Sequence, residues 1–107
     1  MAKVTRGNVF EDLGFSPEEA ERLALQVFLG EQIRKFVERN GLTQAQAAEF
    51  FGVQQPKISR ILRENLDGMT IDYLLSMVAR TGGSFSYSFR QPRKLTRKQF
   101  EERSAAA

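Results

Sequence analysis

From Gln54 to Arg63 the sequence reads Gln-Gln-Pro-Lys-Ile-Ser-Arg-Ile-Leu-Arg, a run in which amide, hydroxyl and cationic groups alternate with apolar ones at helical spacing. With Ile58, Ile61 and Leu62 turned inward, the opposite side of a helix carries Pro56, Ser59, Arg60 and Arg63, flanked by Gln55 and Lys57. Side chains of this kind hydrogen-bond to base edges and phosphates. Thr43 and Gln44, a turn of chain upstream, add a hydroxyl, an amide and the unpaired N–H groups of a helix start. Each also has a plainer role: Arg60 and Arg63 can be solvated or paired with Glu64 or Glu49, and Thr43 can be only a cap.

Other chemistry finds little to work with. The 107 residues hold neither cysteine nor histidine, which removes the soft and imidazole metal ligands, the usual nucleophiles and the usual neutral-pH base. Glu18 and Glu19 diverge by about 100° as helix neighbours, so they cannot flank one substrate bond. Ser59 lacks a nearby base and a glycine elbow, and Gly82-Gly83 lacks the Lys-Ser/Thr that completes a phosphate loop. No catalysis and no cofactor are therefore expected. No run is apolar enough to span a bilayer and the N-terminus lacks a leader's apolar stretch, so a cytoplasmic location is expected. Charge is unevenly placed: residues 1–40 hold six Lys or Arg against seven Asp or Glu, residues 41–107 ten against six. An acidic partner belongs on the second part.

The elements that position these residues announce themselves by caps and periods. Residues 1–15 read as an arm with a short turn near Val9-Phe10. Ser16-Pro17-Glu18-Glu19 starts a helix, with apolar positions Ala20, Leu23, Ala24, Val27 and Phe28, then Leu29, Ile33, Phe36 and Val37, ending at Asn40-Gly41. Gly30 marks either a break in it or a close contact. Thr43 and Gln46 form a capping box for a short helix ending at Phe51-Gly52. Pro56 must lie in the first turn of the next, which sets its start at Gln54 or Gln55. Thr70 caps a fourth, with Met69 stapled against Leu74, a core side of Leu74, Leu75, Met77 and Val78, and an end at Gly82-Gly83. Residues 84–90 then change to period two with Phe85, Tyr87 and Phe89 on one face. Thr96 and Gln99 can open a last short helix in a basic tail.

Two short helices cross at a steep angle only where particular positions are small or apolar, and residues 44–63 meet each demand. Ala47 and Ala48 thin the crossing, Phe51 and Val53 fill the angle around Gly52, and Ile58 and Ile61 anchor the second helix. Gly41-Leu42-Thr43-Gln44 with Gly52-Val53-Gln54-Gln55 and Ile58-Ser59-Arg60 resembles the Cro-like, XRE-family helix-turn-helix over residues 29–83. Asn8 to Gly14 and the final strand resemble the stand-alone HigA-type antitoxins. Pro56 departs from many XRE members, which have a polar residue there. In this geometry the N-terminal residues of the second helix reach base edges. Gln55 then suits adenine, Arg60 guanine, and Lys57 base or phosphate, with Gln54, Ser59 and Arg63 as further contacts and Thr43 and Gln44 on phosphate.

A lone strand leaves both edges unpaired, so residues 84–90 are expected to pair with the same segment of a second copy, placing Phe85, Tyr87 and Phe89 in a two-fold interface. The expected fold is an all-α helix-turn-helix bundle of about five helices with one C-terminal β-strand pairing across a dimer: arm 1–15, helical domain 16–83, dimerisation strand 84–90 and basic tail 91–107. The expected partners are a palindromic duplex-DNA operator, a second copy and, by the resemblance, a cognate toxin. Two alternatives stand beside the self-repressing antitoxin: an ordinary repressor without a toxin, and a protein-interaction module that has lost DNA binding.

Overall fold

Capping residues set almost every helix boundary in the computed structural model, which describes residues 8–105. The Asn8 side chain accepts from the Phe10 N–H and starts a single turn, α1 (Val9–Asp12). Its amide also donates to the Ala20 carbonyl at 2.8 Å, so this part of the expected arm is docked on the next helix. Residues 1–7 of that arm lie outside the described residues. Ser16 caps α2 (Pro17–Arg39), Thr43 caps α3 (Gln44–Phe51), and Thr70 caps α5 (Ile71–Arg80). Gln54 precedes α4 (Gln55–Leu62) without a side-chain cap. Thr96 and Gln99 bond each other's backbone N–H at 3.0 and 3.1 Å and start α6 (Arg97–Ala105). The helices thus number six among the described residues, against about five expected.

The core lies where α2, α3, α4 and α5 meet. Leu29, Ile33, Ile58, Ile61 and Leu74 are its largest fully buried side chains. Each truncation to alanine there costs about 2–5 kcal/mol. Phe36 meets Phe50 and Phe51 with ring centroids 5.0 and 5.8 Å away, fastening α3 to α2. Gly52, at φ +68°, makes the left-handed turn from α3, and its N–H bonds the Ala48 and Glu49 carbonyls.

α2 runs unbroken through Gly30, whose role is the close contact. A Cβ there would lie 2.9 Å from Leu66 Cδ1. The main core also begins later along α2 than the apolar spacing suggests: Val27 and Phe28 are 49% and 45% exposed. Helical spacing tells which residues share a face but not where the facing helices stop, and α3, α4 and α5 cover the later turns. Leu75, expected in the core of α5, is likewise exposed, while Leu74, Met77 and Val78 are buried.

Residues 84–90 are not a strand in the single chain: no backbone hydrogen bond joins them to any other described residue. A ladder needs a second edge, and the one candidate within the described residues, Asn8 to Phe10, is spent on α1 and its cap. The other, Lys3 to Thr5, falls outside the described residues. Phe85 still packs against the core, whereas Tyr87 and Phe89 are 89% and 78% exposed. Among the described residues no helix is long and apolar enough to cross a membrane.

Candidate nucleic-acid interface

The loop from Arg63 to Met69 orients α4, and it is tied down on three sides. Gln26 of α2 donates from one amide nitrogen to the Leu66 and Met69 carbonyls, at 3.0 and 2.7 Å. The Leu66 side chain sits in the space left by Gly30. From the other side the Arg60 guanidinium donates to the Asp67 carbonyl. Glu64 takes a left-handed conformation, φ +63°, to make the bend, a conformation uncommon outside glycine.

On α4 itself Ile58 and Ile61 are buried, and Leu62 is half-buried against the core. Gln55, Pro56 and Arg63 are exposed and Ser59 is half-buried. Gln54 stands at the N-cap with its own side chain making no cap bond. Arg63 is the C-cap, at the opposite end of the helix from Gln55.

Lys57 and Arg60 do not stand out from the exposed side of α4. The Lys57 ammonium lies 5.3 Å from the centroid of the Tyr73 ring on α5. An exposed cation over an aromatic face is worth about 0.5–1 kcal/mol, enough to favour one resting place for a flexible side chain. Arg60 leans the same way, toward the α4–α5 loop. Both border an open concavity of about 500 Å³ that Val53, Gln54, Pro56 and Tyr73 also line. Burial raises the pKa of the Tyr73 hydroxyl above its ordinary value, so the ring stays neutral beside the lysine.

Thr43 and Gln44 sit together at the exposed start of α3. The Thr43 hydroxyl accepts from the Gln46 N–H at 3.1 Å, and Gln46 Oε1 accepts from the Thr43 N–H at 2.8 Å. The capping box therefore uses the hydroxyl as acceptor and leaves its proton for an outside anion, beside the unpaired N–H groups of the first turn.

Charge is distributed to match. On α2, Arg34 pairs with Glu31 and Glu38, Lys35 with Glu31, and Arg22 with Glu19. Among the described residues no carboxylate lies within ion-pair distance of Lys57, Arg60 or Arg63, so Glu64 and Glu49 do not neutralise them. Phe85, Tyr87 and Phe89 lie outside this face; the Phe85 ring lies 6.2 Å from that of Tyr87, beside the core.

Tyr73, Gln26 and Asp67 escape a reading of the sequence. Tyr73 is separated from Lys57 by the whole α4–α5 connection, and Gln26 lies forty residues from the carbonyl it holds. Arg80 reaches the Phe50 carbonyl, 3.2 Å away, at the end of α3.

Compared with known families, the chain matches the model described as a helix-turn-helix domain over residues 9–90, from α1 to the end of the period-two segment. No curated protein and no solved structure matched it. Since that match spans most of the 107 residues and takes in the α3–Gly52–α4 unit, the chain belongs to the helix-turn-helix domain family.

Proposed function

We propose that the protein is a transcriptional regulator that binds duplex DNA sequence-specifically, with α4 in the major groove and the start of α3 on the backbone. The observation that carries this reading is the solvent-facing side of α4, where Gln54, Gln55, Ser59 and Arg63 lie beside the flanking Lys57 and Arg60 and, among the described residues, no carboxylate neutralises the cations. Thr43 and Gln44 contact phosphate, fixing the register in which α4 meets the bases. No catalytic step belongs to this role, and its place is the cytoplasm or nucleoid. Titrating the full chain onto duplexes at several salt concentrations tests it: affinity falls steeply with salt if several phosphates are neutralised. A flat response identifies instead a protein-interaction module.

We further propose a two-fold homodimer on a palindromic operator, in which residues 84–90 of two copies pair and Phe85, Tyr87 and Phe89 meet across the axis. The backbone of this segment, which bonds no other described residue, supports it. A second reading, the antitoxin of a toxin–antitoxin pair repressing its own operon, is favoured by the far end of the molecule. There Val9, Leu13 and Phe15 are exposed amid Glu11, Asp12, Glu18 and Glu21, an apolar and acidic surface that DNA binding does not use and a protein partner can cover. Co-expression with the product of the adjacent reading frame tests this. Neutralised toxicity and a stable complex support the antitoxin, and their absence leaves an ordinary repressor.

A further inference from the structure

Lys57 and Arg60 are the charged side chains nearest the N-terminal end of α4, and both are drawn to the same flank. Lys57 rests over the Tyr73 ring and Arg60 on the Asp67 carbonyl, and both line the concavity that Tyr73 borders. What remains at the leading end is uncharged: the Gln55 amide, the exposed Pro56 ring at the rim of the concavity and, one turn on, the Ser59 hydroxyl. These groups differ sharply in what they read. A glutamine amide pairs bidentately with adenine N6 and N7, an apolar ring packs on the thymine methyl, and guanine O6 and N7 call for a cation that is held elsewhere. A helix lying in the major groove has a sugar–phosphate strand along each flank, so cations held to one side meet phosphate.

We infer that α4 selects A·T pairs through Gln55, Pro56 and Ser59, while Lys57, held over Tyr73, and Arg60 seat backbone phosphates in the concavity beside α5. This rests on the DNA-binding reading above and adds the class of base pair and the division of labour. Tyr73 acts here as a positioning residue: its ring sets where the Lys57 charge lies. The arrangement also accounts for Pro56, whose missing N–H is no loss in the first turn and whose ring is suited to a methyl group rather than to a hydrogen bond.

Selection of bound duplexes from a random pool with the full chain, followed by titration of the best site and a scrambled duplex, tests the assignment. The selected sites carry A·T pairs at the positions whose preference Gln55→Ala abolishes, with a loss on the order of tenfold on the selected site and little on the scrambled one. Lys57→Ala weakens both duplexes by the same factor and lowers the salt slope by about one. Tyr73→Leu does the same in part, and Tyr73→Phe, which restores the ring, recovers the slope; thermal midpoints of the variants show that they remain folded. Sites specified by G·C pairs, or a base preference that changes with Lys57→Ala, overturn the assignment while leaving DNA binding intact. A wild-type chain that enriches no sequence overturns the assignment and the sequence-specific reading beneath it together.

Discussion

Thr43 shows how one side chain can serve stability and binding at once, and how the two are separated. Its hydroxyl oxygen caps α3, so Thr43→Ala costs about 1 kcal/mol, read as a lower denaturation midpoint. Aspartate caps as well as threonine, so Thr43→Asp keeps the midpoint but sets a negative charge where the proposed phosphate lies. DNA affinity then falls while stability does not; a chain that keeps both removes Thr43 from the interface. Arg60 reads differently in sequence and structure. Its position on the wheel suggests a guanine reader, but the Asp67 carbonyl, seven residues on, offers its guanidinium a partner that helical spacing cannot reveal. Tyr73 gives a dependence on pH. Burial raises its pKa above 10.0, so the folded chain holds the phenolic proton to higher pH than the unfolded chain. The associated stability is full below about pH 10 and declines above it. Denaturant midpoints between pH 9 and 11 in wild type and Tyr73→Phe check this, with the shallower decline expected for the variant.

At the scale of elements the unexpected feature is the attachment of the α4–α5 loop to α2. Gln26→Ala leaves the Met69 carbonyl without the Gln26 donor and the Leu66 carbonyl with the Met69 N–H alone and costs about 1–3 kcal/mol, measurable by chemical denaturation. Gly30→Ala gains about 1 kcal/mol of helix propensity but drives its methyl into Leu66. In a Leu66→Ala background the space is free and the gain is realised. A double-mutant cycle therefore shows coupling between Gly30 and Leu66 of about 0.5–3 kcal/mol, and strict additivity rejects the contact. The helices themselves were legible because Ser16, Thr43 and Thr70 sit where local hydrogen bonding requires them, and the α3–α4 turn because Ala47, Ala48, Gly52, Ile58 and Ile61 are each demanded by the crossing. The exposure of Val27, Phe28 and Leu75 was not legible. It depends on where a facing helix ends, which no local spacing encodes. The same holds for the candidate site, since the face of α4 follows from its own period while the resting places of Lys57 and Arg60 depend on Tyr73 and Asp67.

Taken whole, the molecule is extended for its size: the radius of gyration is 17.2 Å, against about 13 Å for a compact domain of 100 residues. Six cations from Arg90 to Arg103 lie in the C-terminal part. Removing the chain after Arg90 lowers the salt slope of DNA binding if they meet phosphate, and an unchanged slope assigns them to solvent. Sedimentation at tens of micromolar tests the proposed pairing of residues 84–90. A dimer is expected, and one that persists in Tyr87→Pro, where a ladder N–H is lost, does not rest on that pairing. That the backbone of residues 84–90 bonds no other described residue also has a consequence in time. Their amide hydrogens exchange with deuterated solvent at the speed of an unfolded peptide in a lone chain, since nothing must open first. Antiparallel pairing protects alternate amides, those facing the partner strand, and leaves their neighbours fast. Dilution through the dissociation range should therefore erase a protection pattern of period two in this segment while the amides of α2 and α5 keep their slow exchange.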